Sequence, residues 1–468
     1  MELIRNYPHK IPTGRVVKTI SRDLRNIVAE VDLQISERLC QVRPMDSRLP
    51  AVLLRMASGV QKYANKKIVI AIDQWIPGMS LPVGHLIKVI GKSLDPETEA
   101  AAILLEHQIE TRPFSKKVLD CLPAEDWTIP PEEAAKRWDL RQESVCSVDP
   151  PGCRDIDDAL HSKVLPNGNW EMGVHIADVT YYVRPDSYID LEAAHRCTTV
   201  YLVDRRTDML PKLLTEVLCS LREKVDRLAF SIIWEINPKD FSIVSVRFGK
   251  SMIHSRAALT YQMAYDRIQD SNDSSTVTES LRRLLKFSQT LKARRVEDGA
   301  LTLASTQLKF KLESSGDEMT KPSDIGMYTL LPTNSMIEEF MLLANITVAR
   351  KIVQSFPASG ILRKHSSPKP EMIKQFALIL KDLGFELNFG SNKELAESLD
   401  TIQRPSDPMF NKLVRIQTTR CMHEALYFCS ADFDISEYRH YGLATDIYTH
   451  FTSPIRRYAD VRHSRHYD

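Results

Sequence analysis

The sequence predicts an α+β protein: a small N-terminal β-barrel of OB type, followed by a larger body in which helices surround an antiparallel sheet. Three observations predict it. Short apolar runs between residues 10 and 120 are separated by Pro, Gly and Asn clusters, as short strands are. Further on, paired apolar runs meet at Asn167-Gly168 and at Asn237-Pro238-Lys239-Asp240, both hairpin signals. Residues 278–297 instead repeat apolar positions at helical spacing.

Composition bounds the function loosely. With 468 residues the chain has room for about two to four domains. Its 62 basic and 61 acidic residues leave a net charge of +1, which neither supports nor excludes RNA, since a groove can be locally positive. The eight cysteines form no C-x-x-C pair, so zinc is not expected, and they read as reduced thiols of an intracellular protein. No run approaches 18 apolar residues and MELIRNYPHKIP is not a secretory leader, so neither membrane span nor secretion is expected.

The barrel is expected over 10–120, with strands at 13–20, 28–31, 51–54, 67–72 and 85–90. Arg15, Lys18, Arg22 and Arg25 are candidate phosphate contacts, or equally a solvated face. Residues 121–145 read as a linker in which PPEEAAKRWDL forms a helix with proline in its first turn. The larger body is then 146–468.

That body opens on SVDPPGCRDIDDAL, which packs Asp149, Asp155, Asp157 and Asp158 around a Pro-Pro-Gly turn. Four crowded carboxylates repel one another, and hard oxygen ligands suit Mg²⁺ or Mn²⁺. Paired-metal carboxylate sites hydrolyse phosphodiesters. The alternatives are a solvated turn or a structural calcium loop. The calcium pattern fails, because no Gly or Glu stands at the sixth or twelfth position after Asp155. The downstream hairpin, with Asp178 ending its second strand, argues against a solvated turn.

The remaining elements follow in order. A short helix is expected at 190–196 and a strand from Thr198 to Val203 carrying Tyr201, which reads first as packing. Arg294 and Arg295 cap the helix at 278–297. Ser335 and Glu338 match a capping box that opens a helix with Ile337, Met341, Ala344 and Val348 on one face, leaving the neighbouring Glu339 as a candidate site residue. His365 reads as structural. In YTHFTSPIRRYAD, Ser453-Pro454 predicts a turn and IRRYAD a helix whose N-terminal end and Arg456 would seat a phosphate, or else a surface arginine.

DPPGCRDIDDAL, GVHIADVTYYV, TTVYL, DMLP, LCSL, VDRLAFS and HYGLATDIYTHFTSPIRRYAD occur in this order. Together they resemble the catalytic domain of the ribonuclease II/R family, called RNB, from about residue 10 to Asp460. The Pro-Pro-Gly-Cys form of the acidic loop is most similar to the eukaryotic branch, the exonucleases of the RNA exosome. The resemblance implies that residues 10–120 are a second cold-shock domain. It implies hydrolysis of single-stranded RNA from the 3′ end to nucleoside 5′-monophosphates, with Mg²⁺ or Mn²⁺ as cofactor. It gives Asp149 and Asp158 the role of metal ligands with Asp155 assisting, and Asp157 that of positioning a second metal or the attacking water. Tyr201 would stack on the RNA end, Glu339 would lie near the terminal nucleotide, and Arg456 would clamp the phosphate. Partners implied are single-stranded RNA and the exosome core, in nucleus and cytoplasm. The sequence departs from the pattern at Ser464, where the family expects histidine. It also lacks the upstream barrel, the PIN domain and the closing S1 barrel, so it reads as truncated at both ends. The competing reading is a catalytically impaired RNA-binding or exosome-interaction protein.

Overall fold

The computed structural model describes residues 2–3, 14–15, 17–18, 25–302, 308–315, 318–327 and 330–465; for 2–3, 14–15, 308–315 and 318–327 it describes the backbone alone. The chain forms two compact units, Met1–Pro113 and Phe114–Asp468. The division therefore falls a few residues before the boundary expected near 120.

In the first unit, strands β1 (Ile27–Gln34), β2 (Leu39–Pro44), β3 (Val52–Arg55), β4 (Lys66–Gln74) and β5 (Val83–Lys92) close into a barrel in the order β1-β2-β3-β5-β4. Its interior is built from alternating inward residues, among them Ile27, Ala29, Cys40, Val42, Leu54, Ile68 and Ile70. Strand β2 has no counterpart in the expected set; it alternates Cys40 and Val42 inward with Gln41 and Arg43 outward. Of the expected strand at 13–20, only Gly14–Arg15 is described as a strand, paired with Glu2–Leu3. Arg25 is tied to buried Glu106 at 2.7 Å, so its charge has a structural partner. Arg22 and the side chain of Arg15 lie outside the described residues. Helix α1 (Pro96–Glu106) starts on proline, with the Asp95 carboxylate accepting from Thr98 N–H.

The second unit is organised on a seven-stranded sheet. Its strands are β6 (Trp138–Leu140), β7 (Cys146–Asp149), β8 (Asp158–Val164), β9 (Trp170–Ala177), β10 (Asp226–Ile236), β11 (Ile243–His254) and β12 (Ala257–Thr260), in the order β12-β7-β8-β9-β10-β11-β6. The interior pairs are antiparallel, and the two edge strands β12 and β6 add in parallel. Gly168 takes φ +85° in the β8–β9 turn, a conformation open to glycine at no steric cost.

The stretch expected to be a linker belongs to this body. Its helix is a single turn, Pro131–Ala134, after which the chain enters the sheet as β6. The reason is Arg137: its guanidinium is buried against Glu133 and Asp178, both at 2.7 Å, which pins the segment to the sheet.

One sheet face carries Leu160, Met172, Val174, Ile176, Phe230, Ile232 and Trp234. It packs on helices α3 (Tyr261–Gln269), α4 (Thr276–Glu297) and α5 (Pro332–Ser355) through Leu281, Leu284, Phe287, Ile337, Phe340 and Val348. Each such side chain contributes about 1.5–3 kcal/mol by leaving water. The opposite face packs Ala159, Ala177 and Ala229 against residues 209–221 and α2 (Tyr188–Arg196). A separate apolar cluster joins the three helices Pro370–Asp382, Asn392–Thr401 and Phe410–Cys421.

Helix α5 starts three residues before the expected capping box. Pro332 occupies its first turn, and the Asn334 side chain accepts from Leu331 N–H at 2.9 Å. Ser335 and Glu338 are therefore free of a capping role. The IRRYAD helix is also displaced: residues 454–456 form a turn, and the helix is Tyr458–Ser464. Among the described residues no helix is long and apolar enough to cross a membrane.

Candidate active site

Strand β7 ends at Asp149 and β8 begins at Asp158, so the acidic loop bridges two adjacent strand ends. Gly152 adopts φ +81°, which a side chain would resist. The loop is pinned from below by the LCSL segment. Ser220 Oγ accepts from Ile156 N–H at 3.1 Å and donates to Arg154 C=O at 2.7 Å. Leu221 N–H donates to Ile156 C=O at 3.0 Å, and Ala177 N–H to Asp157 C=O at 2.8 Å. A loop rich in proline and glycine is thereby held in one conformation.

A cleft of about 470 Å³ opens above it. Asp149, Asp155, Asp157, Asp158, Tyr201 and Arg456 all line this cleft, joined by Glu338, Met341, Leu342 and Asn345 from α5. Burial pushes the carboxyl of Asp149 up to about 6, with the charge of Asp155 adding to the effect. Burial likewise raises Asp157 to about 7, against the pull of Arg456 and of Ile455 N–H. Asp158 is driven well above the usual carboxylate range by burial and by the charges of Asp149 and Asp157. Three acids resisting ionisation in one cleft are a site short of positive charge.

The four aspartates have different surroundings. Among the described residues Asp149 Oδ2 is buried without a hydrogen-bond partner, with the Ser147 and Cys153 side chains beside the carboxyl. Asp155 has both oxygens engaged: Arg206 Nη1 donates to one at 2.7 Å and Tyr201 O–H to the other at 2.5 Å. It anchors the phenol of Tyr201 while leaving the half-exposed ring at the cleft edge. Arg206 also pairs with Asp208 at 2.5 Å and Glu216 at 2.7 Å. Asp157 accepts from Ile455 N–H at 2.9 Å and lies 3.5 Å from Arg456 Nε. The first turn of IRRYAD thus gives its amide to Asp157 in place of the expected phosphate seat.

The TTVYL and SPIRRY segments are zipped together. Thr199 N–H donates to Arg456 C=O at 3.0 Å and Thr198 Oγ1 to the same oxygen at 2.9 Å, while Tyr458 N–H donates to Cys197 C=O at 2.9 Å. Tyr201 and Arg456, far apart in sequence, are set by one strip of backbone. The Arg456 side chain is 45% exposed, so its guanidinium is available to a ligand.

Glu339 stands elsewhere. It is 3% exposed and locked to Arg295 at 2.5 Å, away from the cleft lining. Its neighbour Glu338, one helical step round, is the glutamate that lines the cleft. Asp178 is also outside it, buried between Lys250 at 2.8 Å and Arg137 at 2.7 Å. His365 is structural: its Nδ1 accepts from Gly442 N–H at 3.0 Å and its Nε2 donates to His423 C=O at 2.9 Å. Sequence reasoning missed Arg206, Ser220, Asn345 and Glu338, although each lies inside or beside a motif that it singled out.

The donor set fits a hard divalent cation, since oxygen ligands predominate and Asp149 Oδ2 is a buried acceptor with no hydrogen-bond partner among the described residues. Among the described residues no three His, Cys, Asp or Glu side chains already stand gathered at ligation distance.

Comparison with known proteins decides the family. The model of the RNB domain matches residues 137–466, and that of the Dis3-like cold-shock domain 2 matches residues 39–108. The chain belongs to the RNB family. It is 46% identical over 464 residues to the exosome complex exonuclease dis3 of Schizosaccharomyces pombe, covering 96% of this chain and 47% of that protein. Among solved structures, RNase R of Mycoplasma genitalium bound to ribose-methylated single-stranded RNA superposes with a TM-score of 0.76 at 23% identity, covering 99% of this chain and 71% of the other. Yeast Ssd1, described as a pseudonuclease, superposes with a TM-score of 0.78 at 22% identity, covering 99% and 57%. This RNB chain spans about half the length of the curated relatives that it matches. Because the fold also occurs in a pseudonuclease, the activity has to be argued from the side chains of the cleft.

Proposed function

We propose that this RNB chain is a 3′-to-5′ exoribonuclease that hydrolyses single-stranded RNA to nucleoside 5′-monophosphates, in RNA processing and decay. The observation that carries the reading is the meeting of four aspartates, Arg456 and Tyr201 on one cleft. Exonucleases of this family depend on a divalent metal. A bound Mg²⁺ or Mn²⁺ supplies an activated water and charge stabilisation at the scissile phosphate. Asp149 and Asp158 would hold it. Asp157, fixed by Ile455 N–H and Arg456, orients the attacking water. Arg456 meets the negative charge that grows on the phosphate. The ring of Tyr201, tethered by its hydroxyl to Asp155, stacks on a base without regard to its identity. Glu338, rather than Glu339, faces the terminal nucleotide. Asp155 serves as the anchor of Tyr201 and Arg206. The natural partners are single-stranded RNA and the exosome core, in nucleus and cytoplasm.

The test uses 5′-labelled single-stranded RNA in Mg²⁺. The reading predicts shortening by one nucleotide at a time from the 3′ end with release of nucleoside 5′-monophosphate, while single-stranded DNA of the same length persists. Equal decay of DNA would make the protein a general phosphodiesterase. Binding without decay would favour the impaired RNA-binding reading.

A further inference from the structure

Helix α5 forms one wall of the cleft through Glu338, Met341, Leu342 and Asn345, residues spaced to share a helix face. Asn345 differs from the others because it is a buried amide, 3% exposed. A buried amide carries donors and an acceptor that need partners. The described partners of Asn345 all lie on one short segment. Its Oδ1 accepts from Phe451 N–H at 2.8 Å, and its Nδ2 donates to Tyr448 Oη at 3.2 Å and Thr452 Oγ1 at 3.4 Å. A backbone N–H can only donate, so Phe451 fixes which end of the amide is oxygen.

That segment leads directly to the catalytic turn. Residues 447–453 have no regular secondary structure, so side-chain anchors decide where the backbone runs. Thr449 Oγ1 donates to Ile361 C=O at 3.0 Å, and Ser453 N–H donates to Asp460 at 2.7 Å. Two residues on, Ile455 N–H reaches Asp157, and Arg456 follows with its Nη2 on Ser453 Oγ at 3.0 Å. The Phe451 ring is buried against Phe230 at 5.3 Å between centroids. Asn345 is thus the anchor that ties this strip to the helix on the far wall.

We infer that Asn345 is a positioning residue, which sets the reach of Arg456 and of Ile455 N–H toward Asp157 by holding the backbone at Phe451. It touches neither RNA nor metal in this role. The inference rests on the exoribonuclease reading above. A misplacement of about 1 Å at a reacting centre is enough to cost roughly 100-fold in rate, whereas the ring of Tyr201 keeps its own tether to Asp155, which Asn345 does not touch. The expected signature is therefore a fall in kcat with KM retained.

The experiment compares Asn345→Leu, which keeps the branched heavy-atom arrangement and breaks all three contacts, with Asn345→Asp, which keeps an acceptor for Phe451 N–H. Decay of a single-stranded oligoribonucleotide in Mg²⁺ is measured per folded molecule, with the near-ultraviolet circular dichroism amplitude as the count of folded protein. Asn345→Leu should lower kcat about 10- to 100-fold with KM within about 3-fold of the unsubstituted chain, and Asn345→Asp should recover a substantial part of the loss. Should the leucine variant not fold, the contrast is read between Asn345→Asp and Asn345→Ser, whose shorter hydroxyl cannot span to Phe451. Unchanged kcat in the leucine variant, an effect on KM alone, or equal damage from variants that keep and lose the acceptor would overturn the inference while leaving the nuclease reading standing. An inactive unsubstituted chain would overturn both.

Discussion

Glu338 and Glu339 are adjacent in sequence and opposite in surroundings, and exchanging each for glutamine separates the two. Glu339 is 3% exposed, and its carboxylate receives Arg295 Nη2 at 2.5 Å and Nε at 3.1 Å. Glu339→Gln leaves the Arg295 guanidinium, itself only 18% exposed, beside a neutral amide. Breaking a fully buried pair costs about 3–5 kcal/mol. Arg295 keeps some water and a second carboxylate, Glu338, at 3.4 Å, so roughly 2–3 kcal/mol is expected here. For a unit of this size that loss lowers the melting temperature by about 3–4 °C. Glu338→Gln should leave the melt unchanged within about 1 °C, because that side chain is 57% exposed, and should instead weaken turnover of RNA. Thermal circular dichroism and RNA decay on both variants decide the matter. A Glu339→Gln protein that melts like the unsubstituted chain yet fails to turn over RNA would refute this assignment and restore the glutamate that the sequence pointed to.

Other predictions concern the ring, the acid range and the sheet. Tyr201→Ala should weaken binding of an oligoribonucleotide by about 1–3 kcal/mol, whereas Tyr201→Phe keeps the stacking face and should cost under about 1.5 kcal/mol; fluorescence anisotropy reads both, and equal losses would contradict stacking. Burial alone would raise Asp178, but Lys250 and Arg137 outweigh it and hold the carboxyl at about 2. Its folded pKa lies below the unfolded value, so its contribution is present above about pH 4 and is lost as pH falls toward 2, roughly 2–3 kcal/mol in all. Urea midpoints from pH 7 to 2 should fall less steeply for Asp178→Asn over that window. Gly173→Ala should destabilise by roughly 1–3 kcal/mol, since the new Cβ would meet the buried His161 ring at 2.3 Å; a denaturant midpoint equal to that of the unsubstituted chain would contradict the packing.

Much of the fold was legible because its signals are local. The Asn167-Gly168 turn, the second hairpin and the long helix of α4 are each specified within a few residues of sequence. The barrel strand β2 was not. It follows a break of four residues, ends in Pro44 and carries Arg43, so propensity hides an alternation that packing reveals. The acidic loop was legible as chemistry because its four carboxylates lie within ten residues. Its fixings were not legible, because Ser220 reaches Ile156 across 64 residues, Arg206 reaches Asp155 across 51 and Asn345 reaches Phe451 across 106. The choice between Glu338 and Glu339 depended on helical phase, and that phase is set by the packing of Phe340, Ala344 and Val348 on the sheet. The partners of Asp155 were not legible either, because the guanidinium of Arg206 and the phenol of Tyr201 come to it from outside the acidic loop.

The side chain whose removal interrogates hydrolysis most directly is Asp157. Asparagine there retains an oxygen for Ile455 N–H, so the turn should stay in place while the charge is lost. The rate of single-stranded RNA decay in Mg²⁺ by Asp157→Asn is predicted to fall by about 100- to 1,000-fold, with affinity for the RNA kept within a few-fold. Decay as fast as that of the unsubstituted chain would contradict the assignment of this cleft as the site of cleavage.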